Sequence, residues 1–400
     1  MDSTSKLLLV TAKSSQVQLN TDLVRKLASD VRDWQKFVDI ASAKFSIPFA
    51  QQHLKKLASD IVPDTVLQSM SSISQSYGLA SLKLAAAQIE FHKNCIAPLD
   101  VEYVYLKGIA LSTQTGGKIT DRFSRDIDIL VGERDVKQVI DRAVSQGYRI
   151  ILEADPIEVV QCKRDRDFYT NYADVVTLLS PDEVMIEVHR KLTKLSLNFD
   201  KKAMFANSDR ISVSGTEMRT LSVPMHFVYV CYHHARHFWS KLHWLADIDA
   251  FLRSEKFSRN EVIVIASKLG IEPMVRATFD FHEKIDQTNR WDDPAFFDTH
   301  GGQYLSACLK NLRGGMEIEE EMRKHLTLGD FMSSWQVSKT RHKELWVRSW
   351  LHRVKPTVTQ YRSRRYPFYF TWLYYAENVI NLAKNAWRLA FPTRREHVKK

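Results

Sequence analysis

The spacing of apolar residues over the first hundred positions predicts helices. The stretch TDLVRKLASDVRDWQKFVDIASAKF places apolar residues at helical spacing and begins at Asn20 or Thr21, either of which is a good helix cap. Pro48 and Pro63 interrupt the pattern, and SYGLASLKLAAAQIEFHKNCI predicts one further helix. We therefore expect a helical N-terminal region.

The period changes near residue 101, where β-branched and aromatic residues become frequent. The segments VEYVYLKG, SRDIDILV and YRIILEAD each predict a strand, whereas IALSTQ and residues 135–148 predict helices. A hairpin is expected where residues 173–180 and 183–192 flank the turn pair Pro181-Asp182. This middle part should form a small mixed sheet.

From Pro224 the helical spacing returns and continues to about residue 330. The expected fold class is α+β, with a small mixed sheet flanked by helices and helical regions before and after it. The predicted boundaries are 1–97 for the helical N-terminal region, 98–222 for the α/β domain, 223–335 for a helical domain and 336–400 for a basic aromatic tail.

Composition narrows the classes of protein that fit. Hydrophobic residues make up 44% of the chain and aromatic residues 11%, which is ample for a folded core. The four cysteines are scattered without a C-x-x-C pair, which fits a reducing cytosol and argues against a disulfide framework. The apolar run in MDSTSKLLLVTAKSS is too short for a secretory signal, and no run is long enough to span a membrane. A cytoplasmic protein is expected.

The strand SRDIDILV carries two acids. Because side chains alternate along a strand, Asp126 and Asp128 share one face while Ile127 and Ile129 share the other. Two carboxylates roughly 7 Å apart along a strand repel one another unless water or a cation relieves them. Mg²⁺ prefers such carboxylates together with phosphate oxygens. A half-exposed edge strand with solvated acids is the alternative.

Neighbouring motifs add to the acid pair. Glu187 lies on a later strand, and would become a third carboxylate if that strand lay beside SRDIDILV. Three carboxylates in one cleft suit two-metal phosphoryl or nucleotidyl transfer. Lys107 and Gly108 end a strand before a helix, where backbone N–H groups can approach phosphate. Arg122 and Arg125 are further candidates for binding phosphate.

The order of these motifs resembles the nucleotidyltransferase (DNA polymerase beta-like) fold. The blocks LKGIAL, RFSRDIDILV, IEVHRKL and HFVYVCYHHARHFWSKLHWLADIDAFL are similar to an uncharacterised bacterial nucleotidyltransferase family. The resemblance implies that Asp126, Asp128 and Glu187 bind metal and that Lys107-Gly108 form the phosphate loop. The superfamily usually has Gly-Gly or Gly-Ser in that loop, so Gly116-Gly117 stays open as a second candidate, although no strand precedes it.

Several histidines near the motifs have two interpretations. His226, His233 and His237 lie on one side of a predicted helix, and could form a second polar wall of the site. Packing within a helical domain is favoured over a dedicated zinc site, because no Cys or carboxylate completes a familiar ligand set. A supporting role for His233 or His237 stays open. His189 is interpreted as orienting Glu187 or covering the strand end rather than as a general base.

Basic residues concentrate in the tail. Residues 341–400 hold fourteen Lys/Arg against three Glu, a difference of +11, which leaves the rest of the chain near neutral against a net charge of +10. Aromatic residues with basic flanks suit an interfacial helix on an anionic membrane. The alternative is an ordinary C-terminal helix packed on the body with a solvated basic face. Nucleic-acid binding is the least favoured interpretation, since no recognised module is present.

The resulting hypothesis is a Mg²⁺- (or Mn²⁺-) dependent nucleotidyltransferase. It would move a nucleoside monophosphate from a nucleoside triphosphate to a hydroxyl or phosphate of an unknown acceptor and release pyrophosphate. The family resemblance implies a sugar, glycolipid or peptide acceptor. The cysteines and the basic aromatic tail indicate a cytoplasmic location, which could be peripheral on the inner face of the membrane. The alternatives are an enzyme of the same fold that transfers a phosphoryl or sugar-phosphate group, and a non-catalytic membrane-associated binding module.

Overall fold

The computed structural model describes residues 2–154, 157–192, 199, 201–314, 316–324 and 335–390. Over these residues a mixed sheet of eight strands is flanked by helices, which confirms the α+β fold class. The sheet has more strands than the hydrophobic pattern predicted. None of the helices in the described part of the chain has the length and hydropathy of a membrane span.

Five helices precede the sheet. The side chain of Asn20 caps the second of them by accepting a hydrogen bond of 3.0 Å from the N–H of Leu23. The stretch predicted to be helical forms two helices, because the chain breaks after Ser29 and restarts beyond Asp33, whose carboxylate accepts from the N–H of Lys36. The helices are α1 Ser3–Thr11, α2 Thr21–Ser29, α3 Trp34–Ala43, α4 Ile47–Leu57 and α5 Asp64–Phe91, the last continuing as a π-helical turn over His92–Ile96.

The strands form one sheet with both parallel and antiparallel pairs. They are β1 Tyr103–Leu106, β2 Asp126–Val131, β3 Arg149–Ala154, β4 Ile157–Val159, β5 Val175–Leu179, β6 Met185–His189, β7 Ser208–Val213 and β8 Thr216–Leu221. Their order is β4-β3-β5-β6-β2-β1-β8-β7. β2 is parallel to β6 and β1 is parallel to β8, whereas the remaining neighbours are antiparallel.

All of the predicted strands are present. The strands expected in VEYVYLKG, SRDIDILV and YRIILEAD are β1, β2 and β3, and the expected hairpin is β5–β6. The pattern missed β4 and the β7–β8 hairpin, whose tight turn places Ser214 at φ +46° and Gly215 at φ +82°. The many polar residues of β7 and β8 conceal the alternation that would have predicted them.

Helices surround the sheet and continue beyond it. Within the α/β part they are α6 Gly108–Gln114, α7 Val136–Ser145, α8 Lys163–Tyr172 and α9 Lys201–Ala206. The helices described after the sheet are α10 Val223–Arg236, α11 His243–Arg253, α12 Arg259–Leu269, α13 Glu272–Ile285, α14 His300–Asn311, α15 Met316–Lys324, α16 Lys339–Val354, α17 Val358–Ser363 and α18 Trp372–Ala390. Short 3₁₀ turns lie at Ile119–Asp121, Thr288–Arg290, Pro294–Phe297 and Phe368–Phe370.

Buried apolar side chains form two clusters, one on each side of the sheet. The larger joins the first helices to the later ones, so that Leu7 and Phe37 pack in the same cluster as Phe227 and Phe281. This explains the apolar run near the N-terminus, which is a buried helix. The second cluster holds the apolar side of β2. The domain boundaries remain predictions. Described residues from both 1–97 and 223–335 pack in the larger cluster, whereas the end of α5, with Leu84 and Phe91, belongs to the second.

Candidate active site

The acidic face of β2 meets a matching face of β6. The parallel register pairs Asp126 with Met185 and Asp128 with Glu187, so the carboxylates of Asp128 and Glu187 stand side by side. Asp126 projects from the same face of β2 as Asp128, because alternate residues of a strand point the same way. The opposite side chains, such as Ile127, fill the second core cluster. The structure therefore brings the three predicted acids together.

His189 links two of these acids. Its Nε2 atom lies 2.8 Å from Oδ1 of Asp128 and 3.3 Å from Oε2 of Glu187. Burial by itself would lower the pKa of His189, but the hydrogen bonds and charges of Asp128 and Glu187 raise it to about 9. In the metal-free protein the imidazole therefore serves as a cation between two carboxylates.

The arrangement fits a divalent cation. Asp128, Glu187 and His189 each offer a ligand atom, and these atoms lie within 4.8 Å of one another. Burial and the negative charge of Asp128 raise the pKa of Asp126 to about 7, so this carboxyl holds its proton far above the usual range. A bound cation would offset that repulsion and allow the acids to ionise together. Carboxylates suit Mg²⁺ and Mn²⁺, and imidazole favours a transition metal.

Lys107 supplies a positive charge from the neighbouring strand end. Its Nζ atom lies 2.9 Å from Oδ2 of Asp128 and 3.3 Å from Nε2 of His233. Burial opposes its charge, but the carboxylates of Asp128 and Asp126 raise the pKa of Lys107 above its ordinary value. The same contacts hold the pKa of Asp128 below its ordinary value in spite of burial. The pair is therefore ionised in the folded protein.

The turn from β1 into α6 has an unusual backbone. Lys107 and Gly108 have φ angles of +45° and +44°, and a positive φ at a lysine costs conformational energy. His226 stabilises this turn, since its Nε2 accepts from the N–H of Lys107 at 3.0 Å while its Nδ1 lies 2.8 Å from Oε1 of Gln114. Burial lowers the pKa of His226 to about 3, which keeps the ring neutral and able to accept. Gly116 lies just beyond the far end of α6.

The two arginines predicted to bind phosphate have other partners. Arg122 forms a buried two-point ion pair with Asp247, with distances of 2.6 Å from Nε to Oδ1 and 2.9 Å from Nη2 to Oδ2. The guanidinium of Arg125 lies 4.6 Å from the ring centre of Phe45. Burial opposes the charge of Arg122, but the carboxylates around it, including those of Asp126 and Asp128, raise its pKa. The phosphate-binding role of both arginines stays a prediction.

The histidines predicted to form a polar wall, His226, His233 and His237, lie on α10 and at the residue after it. His233 lies next to Lys107 and to His234, while Nδ1 of His237 lies 2.8 Å from Oε1 of Glu319. Burial and the Lys107 charge hold the pKa of His233 well below its ordinary value. Among the described residues, the group suited to hold a metal is the Asp128 cluster rather than these histidines.

A cavity of about 200 Å³ lies between the acidic face of the sheet and α10. Its lining combines acids, bases and phenols: Lys107, Asp174, Val175, Glu187, His189, Lys191, Leu192, Tyr229, Tyr232, His233, Arg236 and His237. The sequence interpretation missed Lys191, Tyr229, Tyr232 and Arg236. A signal was available for the helical members, because positions 229, 232, 233 and 236 follow the spacing of one helix face.

A mixed sheet with adjacent acids on parallel strands, next to a strand–glycine–helix turn, defines a protein of the nucleotidyltransferase class. The chain belongs to the family described as uncharacterised nucleotidyltransferase, whose model matches residues 30–285. This confirms the family that the motifs resembled. No curated protein matches the chain.

Proposed function

We propose that the protein transfers a nucleoside monophosphate from a nucleoside triphosphate to a hydroxyl or phosphate of an acceptor, with release of pyrophosphate. The observation that carries this proposal is the pairing of Asp128 with Glu187 across two parallel strands, beside Asp126 and facing a cavity. A divalent cation held there would neutralise the triphosphate and assist the attacking oxygen. The membership of the nucleotidyltransferase family supports the same reaction class.

The residues of the cluster take different roles in this proposal. Asp126, Asp128 and Glu187 hold the cation, and His189 orients Asp128 and Glu187 through its two short contacts. Glu187 is the most accessible of the paired acids, with 35% of its side chain exposed against 4% for Asp128. In this proposal Glu187 is therefore the acid that helps to activate the acceptor oxygen.

Positive charge for the phosphates comes from the cavity wall. Lys107 contacts Asp128 directly, and Lys191 and Arg236 line the same cavity. These three groups add to Arg122 and Arg125, which contact Asp247 and Phe45 respectively. The phosphate oxygens would then contact the metal on the side of the acids and the basic side chains on the side of α10.

The acceptor is proposed only by its chemical class and the location only by its compartment. A sugar, glycolipid or peptide acceptor fits the hydroxyl or phosphate chemistry of the site. The enzyme would work in the cytoplasm, with its C-terminal region on the inner face of an anionic membrane. The alternative chemistry, transfer of a phosphoryl or sugar-phosphate group, would use the same cation and the same acids.

Nucleotide binding tests the proposal directly. Calorimetric titration with each of the four nucleoside triphosphates, with and without Mg²⁺, should show binding that requires the metal. The double variant Asp126→Ala/Asp128→Ala should lose it, while Asp182→Ala, a matched change at an exposed turn, should retain it. Failure of every nucleotide to bind the wild-type protein would overturn the proposal.

The position of a radioactive label separates the two chemistries. Label at the α-phosphate should reach the acceptor if a nucleotide is transferred, whereas label at the γ-phosphate should reach it if a phosphoryl group is transferred. The mass of the product gives the same answer independently. Incorporation from the γ-phosphate alone would replace the nucleotidyl proposal with the phosphoryl one.

A further inference from the structure

Two helices near the C-terminus present large apolar side chains to solvent. On α16 the exposed fractions are 57% for Trp346, 39% for Trp350 and 61% for Leu351. These positions follow helical spacing, so they lie on one face of α16. Isolated exposed apolar residues are ordinary, but a stripe that includes two tryptophans marks a surface for interaction.

The neighbouring helix α18 repeats this feature. Its exposed fractions are 59% for Trp372, 52% for Val379 and 52% for Ile380. Helical spacing again places the three side chains on one face. The two helices contact each other, and the side chain of Asn378 donates to the backbone oxygens of Val354 and Lys355 at the end of α16.

Other faces of the same segments fix them to the body of the protein. Leu345 on α16 and Tyr374 on α18 are buried, and the ring of Tyr361 stacks on Phe168 of α8 with ring centres 3.9 Å apart. The hydroxyl of Tyr361 also donates to Asp165 at 2.6 Å. The exposed stripes therefore belong to a folded part of the molecule, and their exposure is not caused by separation of a loose tail.

The charges on α16 and α18 indicate which kind of surface the exposed apolar residues bind. Lys343, Arg353 and Lys384 are exposed on the same two helices, and residues 341–400 carry fourteen Lys/Arg against three Glu. Tryptophan beside Lys/Arg is the combination that binds the headgroup region of an anionic bilayer. A purely apolar protein partner would gain nothing from this excess of positive charge.

We propose that α16 and α18 form a docking surface for an anionic lipid bilayer. Their tryptophan and aliphatic side chains enter the boundary between headgroups and acyl chains, and the basic residues contact anionic headgroups. Burial of apolar area and attraction between charges both contribute, so binding needs both sets of residues. The surface is separate from the cavity, and the proposal is independent of the reaction that the protein catalyses.

Sedimentation of the full-length protein with vesicles tests this surface. Phosphatidylcholine vesicles that contain phosphatidylserine should bind the wild-type protein, and pure phosphatidylcholine vesicles should bind it more weakly. The triple variant Trp346→Ser/Trp350→Ser/Trp372→Ser should lower the partition coefficient by about tenfold or more. The matched control is Leu79→Ser/Leu82→Ser on α5, which removes two leucines that are 69% and 51% exposed and should leave binding unchanged.

A second measurement does not depend on any variant. Raising the salt concentration should release the wild-type protein from the anionic vesicles, because screening weakens attraction to the headgroups. Absence of binding to anionic vesicles, or equal binding by the triple variant and the wild type, would overturn the proposal. So would a dimer in solution that the triple variant abolishes, since a second copy would then cover the surface.

Discussion

The molecule contains two buried aspartates with similar partners and different surroundings. Asp128 contacts Lys107 and His189, and Asp247 contacts Arg122 and lies 3.5 Å from Nε2 of His234. Each aspartate therefore has one basic side chain and one histidine. The cations hold the pKa of both carboxyls below the ordinary value although burial opposes this.

The charged groups around Asp128 and Asp247 differ in their balance of charge and in whether they border a cavity. Asp247 faces one guanidinium, and burial lowers the pKa of His234 to about 4, so the pair is balanced and the ring is neutral. Asp128 has two further acids beside it, Asp126 and Glu187, and the cluster borders a cavity. A balanced buried pair acts as a structural support. The Asp128 cluster has three acids against the two cations Lys107 and His189, so burial and this excess of acids raise the pKa of Asp126 to about 7 unless a further cation binds. The contrast shows why residue types alone do not identify a site.

Removing the acid from the balanced pair should have the largest effect on stability. We expect Asp247→Asn to lower the free energy of unfolding by about 3–5 kcal/mol, because Arg122 would remain buried without a counter-charge. Urea unfolding followed by circular dichroism measures this change. Asp60→Asn, which breaks the exposed pair between Asp60 and Arg25, is the control and should have no measurable effect. A similar small effect at Asp247 would contradict the structural role.

Changing an acid at the cavity should affect ligands far more than folding. We expect Glu187→Gln to weaken Mg²⁺-dependent nucleotide binding about a hundredfold, which corresponds to about 2.7 kcal/mol, since a ligand charge is lost. The free energy of unfolding without metal should change by less than about 1 kcal/mol, because the side chain is partly exposed. Calorimetry and unfolding on the same samples give both numbers. Undiminished nucleotide affinity would remove Glu187 from the proposed cation site.

Ionisation of Asp126 should make the metal-free protein less stable at high pH. Its pKa of about 7 in the folded protein exceeds the ordinary value of 3.8, so the folded state binds more protons between these values and stability falls as pH rises through this window. We expect Asp126→Asn to be more stable than the wild type at pH 8 in a chelator, by about 2 kcal/mol. Thermal unfolding across pH checks this. A less stable variant would show that Asp126 has no electrostatic cost.

The neutral histidines around Asp247 should also make stability depend on pH, but less strongly and in the opposite direction. Burial lowers the pKa of His243 to about 3, below the ordinary value of 6.5. The unfolded state therefore binds more protons between these values, and stability falls as pH drops below 6.5. We expect His243→Gln to recover about 1 kcal/mol of the loss between pH 7 and pH 5. An unchanged slope of stability against pH would mean that His243 is protonated in the folded protein.

Local patterns predicted much of the acidic face. The alternation in SRDIDILV placed Asp126 and Asp128 on one side of a strand, and the apolar side chains between them fill the core as expected. The turn pair Pro181-Asp182 predicted the hairpin that contains Glu187. These features depend on neighbours in sequence, which is why spacing alone reveals them.

Long-range pairs could not be predicted in the same way. Arg122 forms an ion pair with Asp247, although 125 positions separate the two, and the sequence did not predict this pair. His226 supports the turn at Lys107 across 119 positions. Nothing in the local pattern distinguishes such a partner from any other histidine or aspartate, because an ion pair depends on distance and burial.

The sequence by itself determined the side of each strand and helix that is polar, since that follows from covalent geometry and periodicity. It also placed the excess positive charge in residues 341–400. The tertiary structure decided which charges are neutralised and which remain available. Lys107, Asp128 and His189 acquire their shifted pKa values only when the sheet and α10 exclude water from them. Electrostatic energy depends on separation and local dielectric, and both are properties of the folded chain.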